Sequence, residues 1–379
     1  MAGKTPLRLA LIGTGKRSDY LYGPIIAALQ DEVELVAVWG RSADSARRLG
    51  ETLSAPWYTD VHRLVRETAP EIGVVSVSYA ANGEVGLMAV ESGLNVLLET
   101  PIAHDLRQAD AIIAAAERLG KKIEVAEQFH RRPHEQIKLK LIESGIFGAV
   151  HTSFSDYSGH GYHGMSVMRS YLGFQARPVQ VTGMVRNFPL AAHWARLSDS
   201  TGPREETQEH ALVDFEGGRT GIFHWTSVGY DSPLRWWRSS RFLAEKGMGI
   251  SVGSGLEFED RITLLTRDGQ APSPVIIERR YERIDGGSLL GVYAHTGDPH
   301  VPTVAWHNPF QPARQGHGPQ WHDDEIAVAG CILSLVTAVR EDKPPSYGPH
   351  QARLDQELIL ALRTSAQDGS RPVSLPLPA

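Results

Sequence analysis

The sequence predicts a doubly wound parallel α/β domain followed by an α+β domain built on a large, mostly antiparallel sheet. Three observations carry that reading. An apolar run at 7–12 leads directly into Gly13-Thr14-Gly15. Strand-like and helix-like stretches then alternate as far as residue 127, the order that builds a parallel sheet. After Gly148 the pattern changes to short β-rich runs separated by turn signals such as Glu216-Gly217-Gly218, which suit antiparallel pairing.

Taken in order, the first domain (1–128) is expected to hold strands at 7–12, 34–39, 72–78, 94–99 and 122–127. Their Val, Ile and Leu content with few charges suits strands buried on both faces. Helices are expected at 22–30, 43–52, 61–68, 83–92 and 105–119. The last places Leu106, Ala109, Ile112, Ile113, Ala116 and Leu119 on one stripe, with Asp105 at its start and Gly120 to stop it. In the second domain (129–379), Pro133 suits a first helical turn, and a helix is expected over 133–144. Strands are expected at 150–157, 179–186, 210–215, 221–226, 241–245, 262–266 and 275–281. The stretch 285–318 is rich in Gly, Pro and His and predicts only a strand near 289–294. Helices at 322–340 and 350–365 and an extended tail at 373–377 complete the chain.

A chain of 379 residues is too long for one ordinary domain, so two are expected. Hydrophobic residues at 41% and charged residues at 22% describe a globular protein. A net charge of −6 with no long basic run argues against nucleic acid as a partner. The single cysteine, Cys331, cannot form an internal disulfide, which points to a reducing compartment, and its apolar helical surroundings suggest core. The run 7–12 is too short for a signal-peptide core, and no apolar run reaches membrane-spanning length. A cytoplasmic protein with no membrane partner is expected.

A strand that runs into a glycine turn and then a helix forms a phosphate cradle, because backbone N–H groups and the helix N-terminus face the pyrophosphate. Gly13 and Gly15 occupy two of the fingerprint positions and Ser18 the third. Gly13, Thr14, Gly15, Lys16 and Arg17 are therefore cofactor candidates. The same glycines also suit a tight turn in a flavodoxin-like protein without a dinucleotide. The second strand ends Trp39-Gly40-Arg41-Ser42, with no acid for the ribose hydroxyls. Arg41 and Ser42 suit a 2′-phosphate, hence NADP. Equally, Arg41 can stack on adenine in an NAD site.

Several features together resemble the glucose–fructose oxidoreductase, inositol dehydrogenase and MocA (Gfo/Idh/MocA) family. They are Gly13-Thr14-Gly15 after an N-terminal strand, Glu99-Thr100-Pro101 ending the fourth strand, and the Gly145 and Gly148 turn into the second domain. His163 before Gly173, Ser365-Ala366, and Arg371-Pro372-Val373 complete the set. The resemblance implies a Rossmann domain joined to an open-faced sheet domain, and hydride transfer between a nicotinamide cofactor and a sugar or polyol carbon. It implies cofactor contacts at the ends of the later strands, at Ser78, Asn82, Glu99, Thr100 and Gln128. It also implies a catalytic His163, with His160 and Tyr157 as further candidates, and a homo-oligomer formed through the open sheet face. Three positions depart from the family pattern. Thr100 stands where a lysine is usual, Gly159 where an aspartate is frequent, and Asn82 where a histidine is common.

For His163 the plainer alternative is an N-terminal helix histidine bonded to nearby backbone. An imidazole near neutrality can also move a proton to or from a hydroxyl. The paired spacings His130/His134 and His160/His163 suit metal ligands, but no Cys or carboxylate partner completes a motif, so no metal is expected. Arg235-Trp236-Trp237-Arg238 concentrates cations and aromatics. It suits either a subunit contact or a wall that stacks a sugar and pairs an anionic substituent, with Arg235 and Trp236 joining Glu99, Tyr157 and His163 as substrate candidates.

The leading expectation is an NAD-dependent enzyme, with NADP open, acting on a ring carbon of a small-molecule sugar or glycoside. One alternative is a redox-assisted glycoside hydrolase, in which transient C3 oxidation permits elimination and water addition, on an anionic sugar such as a carboxylated or sulfonated glycoside. Another, of a different class, is a non-catalytic cofactor-binding regulator, which retention of His163 opposes.

Overall fold

The chain is described by a computed structural model at residues 5–158, 160–195, 198–229, 232–234, 238–254, 257–283, 286–312 and 321–377. It divides into two units: Met1–Gln128 with Pro309–Leu354, and Phe129–Asn308 with Asp355–Ala379. The expected boundary at residue 128 is therefore one of several crossings. Residues 309–354 group with the first unit.

In that first unit the elements run β1 (Leu7–Ile12), α1 (Gly23–Ala28), β2 (Val33–Trp39), α2 (Ala43–Leu53), β3 (Trp57–Tyr58), α3 (Val61–Thr68), β4 (Ile72–Val75), α4 (Tyr79–Glu91), β5 (Asn95–Leu98), α5 (Leu106–Leu119) and β6 (Ile123–Val125). The six strands lie in the order β3-β2-β1-β4-β5-β6, and all pair in parallel. Leu9, Leu11, Ile12, Val38, Val74, Val96 and Leu97 are fully buried, as strands covered on both faces require. The chain leaves β1 toward β2 on one side and resumes at β4 on the other, so ligands are expected beyond the strand ends at that switch point.

Local chemistry sets the helix ends. Asp60 accepts hydrogen bonds from the backbone N–H of His62 and Arg63 at the start of α3, and Asp105 does so from Gln108 at the start of α5. Helix α4 begins at Tyr79, four residues before the expected start at Gly83. A Cβ on Gly83 would come within 2.4 Å of Gln108 Oε1. That glycine permits α4 to pack closely on α5.

The second unit holds α6 (Pro133–Glu143), β7 (Val150–Ser158), α7 (Gly161–Leu172), β8 (Pro178–Ala195), β9 (Ser200–Phe215), β10 (Arg219–Thr226), β11 (Arg238–Ala244), β12 (Gly247–Ser254), β13 (Glu257–Leu265), β14 (Pro272–Arg283), β15 (Gly286–His295) and β16 (Thr303–His307). Helix α8 (Asp323–Arg340) belongs to the first unit, α9 (Pro349–Gln367) crosses the boundary at 354, and β17 (Val373–Ser374) closes the second sheet. That sheet has eleven strands in the order β16-β15-β14-β13-β12-β11-β7-β10-β9-β8-β17. Among the described residues of this sheet, β7 and β10 pair in parallel and the other pairings are antiparallel.

Three features exceed expectation. β12 and β16 were not foreseen, and β8 and β9 run well past Arg186 as a two-stranded extension. Within that extension Phe188 and Trp194 are exposed. With neither face covered there is no alternating pattern to read, and Pro189 argues against a strand.

One buried ion pair binds α7 to α9. Arg169 Nη1 donates to Asp355 Oδ1 at 2.7 Å, with side-chain exposures of 0% and 1%. Removing one partner of such a pair leaves an uncompensated charge in the interior. Asp355→Ala is expected to lower the unfolding free energy by about 3–5 kcal/mol, measured by urea denaturation. A loss under about 1 kcal/mol would mean that the pair behaves like one at the surface.

Candidate functional site

In the first unit, β1 ends at Gly13, whose φ of +119° is open to glycine. A Cβ there would lie 2.0 Å from the Ser76 carbonyl oxygen, so the close approach of β1 to the end of β4 demands glycine. The backbone then turns through Gly15, whose carbonyl accepts from the N–H groups of Ser18 and Asp19. A single π turn, Ser18–Tyr22, leads into α1. Gly15 and Lys16 are exposed, and Thr14 and Arg17 are half-buried. Thr14 Oγ1 donates to Ser45 Oγ at 3.0 Å, which fastens the turn to the first turn of α2. Arg41 and Ser42 are exposed at the end of β2, and the Ser42 side chain makes no capping bond to α2.

Glu99, just beyond β5, is 8% exposed. Its Oε1 accepts from Arg17 Nε and, at 2.7 Å, from Tyr22 Oη. Its Oε2 accepts from the Thr100 N–H at 3.2 Å. Burial pulls the Arg17 guanidinium down, but the Glu99 carboxylate outweighs it and holds Arg17 above its ordinary value. Burial and the same carboxylate both push the Tyr22 phenol well up. Glu99 is thereby held in place at the strand end by three donors. Tyr22 escaped sequence analysis, because on a helical stripe it reads as core.

Asn82 is 1% exposed. Its amide nitrogen donates to the carbonyls of Glu99 and Pro101 at 2.6 and 2.7 Å. This side chain therefore clamps the cis Thr100–Pro101 turn. Thr100 is half-buried, Gln128 is buried and Ser78 is exposed. Among the described residues, Trp39 Nε1, Asn82 Oδ1 and Gln128 Oε1 are buried polar atoms without a hydrogen-bond partner. A Cβ on Gly15 would meet nothing within 4 Å. Unsatisfied buried donors and acceptors in this unit, with an open glycine turn after β1, fit a polar nucleotide.

In the second unit, His163 lies in the first turn of α7 and is 6% exposed. Its N–H bonds to the His160 carbonyl at 3.2 Å. Its ring lies 4.3 Å from Phe129, 4.6 Å from Tyr162, 6.0 Å from His160 and 6.1 Å from Tyr157, centroid to centroid. The structure thus brings His163, His160 and Tyr157 together. His160 is exposed and stacks on Tyr162, while Tyr157 is buried. Two guanidinium groups adjoin this aromatic cage: Arg132 lies 4.2 Å over Phe129 and Arg238 4.9 Å over Tyr157. A narrow cavity with room for about one water is lined by Tyr157, Ser155, Glu135, Ser240, Arg132 and Arg238, among others.

Arg235 and Trp236, with Trp237 and Gly159, lie outside the described residues. His130 and His134 are buried against Phe174 and Phe258, and burial with Arg131 pulls His130 well below the ordinary imidazole value. No group of three or more His, Cys, Asp or Glu side chains among the described residues could hold a metal ion. No described helix is long and apolar enough to cross a membrane.

Residues 7–127 match the family described as "Oxidoreductase family, NAD-binding Rossmann fold". D-glucoside 3-dehydrogenase of Escherichia coli (strain K12) is 29% identical over 153 residues, covering 39% of this chain and 42% of that protein. Inositol 2-dehydrogenase/D-chiro-inositol 3-dehydrogenase of Lactiplantibacillus plantarum is 30% identical over 152 residues, covering 39% and 43%. The match thus spans less than half the length of either relative. An NAD binding oxidoreductase from Klebsiella pneumoniae has a similar structure, with a TM-score of 0.71 over 98% of this chain and 100% of that one. At 17% identity that likeness speaks to the fold alone. The glycine turn, the strand order and the matched sequence agree: residues 7–127 are similar to the NAD-binding Rossmann fold of the Gfo/Idh/MocA oxidoreductase family.

Proposed function

We propose that the protein is an NAD-dependent oxidoreductase that moves a hydride from or to a ring carbon of a sugar or glycoside. The observation that carries this reading is His163, a buried imidazole at the start of α7 inside an aromatic cage, in a chain whose first unit is a dinucleotide fold. Relatives named as glucoside and inositol dehydrogenases support the substrate class.

The backbone N–H groups of Gly13–Arg17 would hold the pyrophosphate, and Arg41 and Ser42 would take the adenosine end. Asn82 Oδ1 and Gln128 Oε1 offer acceptors for hydroxyl or carboxamide groups. When bound, the nicotinamide supplies the hydride acceptor. His163 takes the hydroxyl proton as the carbonyl forms and returns it in the reverse direction. Phe129, Tyr162 and Tyr157 exclude water around that imidazole, and the exposed His160 passes the proton to solvent. Self-association through the open sheet face is part of the proposal, since Leu212 (45% exposed) and Ile276 (59% exposed) would gain cover there.

A second reading is a redox-assisted glycoside hydrolase, favoured by Thr100. A net dehydrogenase gains from a cation beside the reacting carbon, and a threonine hydroxyl neither carries charge nor titrates near neutrality. A hydrolase regenerates its oxidant in every cycle. Its added demands are removal of an acidified C2 proton and departure of the aglycone.

Gly15→Asp is expected to fold normally, because the space beside Gly15 is open, and to lose NAD binding as measured by calorimetry. Unchanged affinity would remove the dinucleotide site from this turn. His163→Ala is expected to reduce turnover roughly 100- to 10,000-fold with NAD affinity preserved. Full activity in that variant would refute the acid–base role. With simple glucosides as probes, a dehydrogenase yields one NADH per oxidised sugar and leaves the glycosidic bond intact. Cleavage with catalytic NAD, and deuterium at C2 of the sugar released in deuterated water, would instead establish the hydrolase.

A further inference from the structure

The two guanidinium groups beside the aromatic cage play no part in the proton transfer assigned to His163. Arg132 immediately precedes α6, and Arg238 opens β11. Both lie over the Phe129 ring, at 4.2 and 5.7 Å from its centroid, and Arg238 also lies 4.9 Å over Tyr157. Ser155 and Tyr157 are two residues apart on β7, so they project from the same face of the sheet. Ser240 of β11 is directly opposite Ser155. These side chains converge on the one-water cavity of the second unit. Arg132, Arg238, Ser155 and Tyr157 are each at 5% exposure or less.

The lining of that cavity suits negative charge. It carries two guanidinium cations and one carboxylate, Glu135, whose charge is answered by Lys138 Nζ at 3.1 Å. Ser155 Oγ is a buried hydroxyl without a hydrogen-bond partner among the described residues, and an entering oxygen would satisfy it. Away from water a cation attracts an anion far more strongly than at the surface. Guanidinium groups also present paired N–H donors that match the two oxygens of a carboxylate. The space has room for about one water, so it takes one such oxygen and excludes a sugar ring. The ring then stays on the side of the cage. Phe129 and Tyr157 border both the cavity and the cage, and Tyr157 lies 6.1 Å from His163 between centroids.

We propose that the substrate carries a carboxylate, received in this cavity by Arg132, Arg238 and Ser155 while the sugar ring is presented to His163. The substrate class is a sugar acid or its glycoside, not a neutral sugar. This rests on the reading of the His163 cage as the place where the sugar reacts.

Binding is separated from chemistry by loading the full-length protein with NADH, which cannot accept a hydride. Methyl glucuronoside and methyl glucoside differ only in carboxylate against hydroxymethyl, and they are titrated by calorimetry, with the galacto pair likewise. The uronoside of at least one pair is expected to bind roughly 10- to 100-fold more tightly, as hydrogen bonds to a charged group contribute. Arg238→Gln is expected to remove that preference. Ser155→Ala, which leaves the buried charges in place, is expected to reduce it about 2- to 10-fold. Unchanged circular dichroism and NADH affinity in these variants exclude misfolding as the cause. The proposal is overturned if neither uronoside binds more tightly than its neutral partner, or if the preference survives intact in both variants. The same sugars offered to the NAD-loaded protein test the oxidoreductase separately. A uronoside bound with this preference but neither oxidised nor cleaved would count against that activity and leave the carboxylate site in place.

Discussion

The second unit is organised around buried charge that has to be paired. Arg169 and Asp355 are 186 residues apart in sequence, and neither has access to water. A guanidinium in that position is tolerable only with its carboxylate present, so α9 must return against α7. A second buried network does the same for α6. Lys138 Nζ lies 3.1 Å from Glu135 Oε2 and donates to Ser240 Oγ and Ser251 Oγ, while Tyr171 Oη donates to Glu135 Oε2. Glu135 stays far below the ordinary carboxylate range: burial alone would raise it, but Lys138 and His134 overcome that. Helices α6 and α7 are thereby held on the covered face of the sheet, and α7 carries His163 in its first turn.

In the first unit the corresponding constraint is the Glu99 carboxylate. With Arg17 and Tyr22 on one oxygen and the Thr100 N–H on the other, it links the glycine turn to the end of β5. Three donors hold this carboxylate in one orientation. In the proposed chemistry proton transfer is the task of His163. Asn82 contributes to the same rigidity by clamping the backbone at Glu99 and Pro101, while its unpaired Oδ1 leaves one acceptor for a ligand.

The large sheet is asymmetric. Its strands direct Val213, Phe223 and Phe242 into the covered side, all at 3% exposure or less. Along the same strands, Leu212, Ile222, Phe154 and Arg241 face the open side in register, and Arg241 lies 3.7 Å over Phe154.

Much of the fold was legible because it depends on local patterns. Continuous apolar runs marked the buried parallel strands, Asp105 and Gly120 marked the ends of α5, and Gly13 with Gly15 marked the turn. The family resemblance named His163, and the structure surrounds it with rings. Other features had no local signal. Nothing in the run from Tyr20 to Tyr22 indicates that one tyrosine reaches a carboxylate 77 residues away. The return of α8 to the first unit and the extension of β8 and β9 past Arg186 depend on pairings between distant segments. The cavity that gathers Arg132, Ser155 and Arg238 exists only once three distant segments are packed together. Residue type and periodicity determine which face of an element is apolar and where it stops, since those energies are local. Which partners a buried charge or an exposed imidazole meets is decided by chain return, and that is a property of the tertiary structure alone.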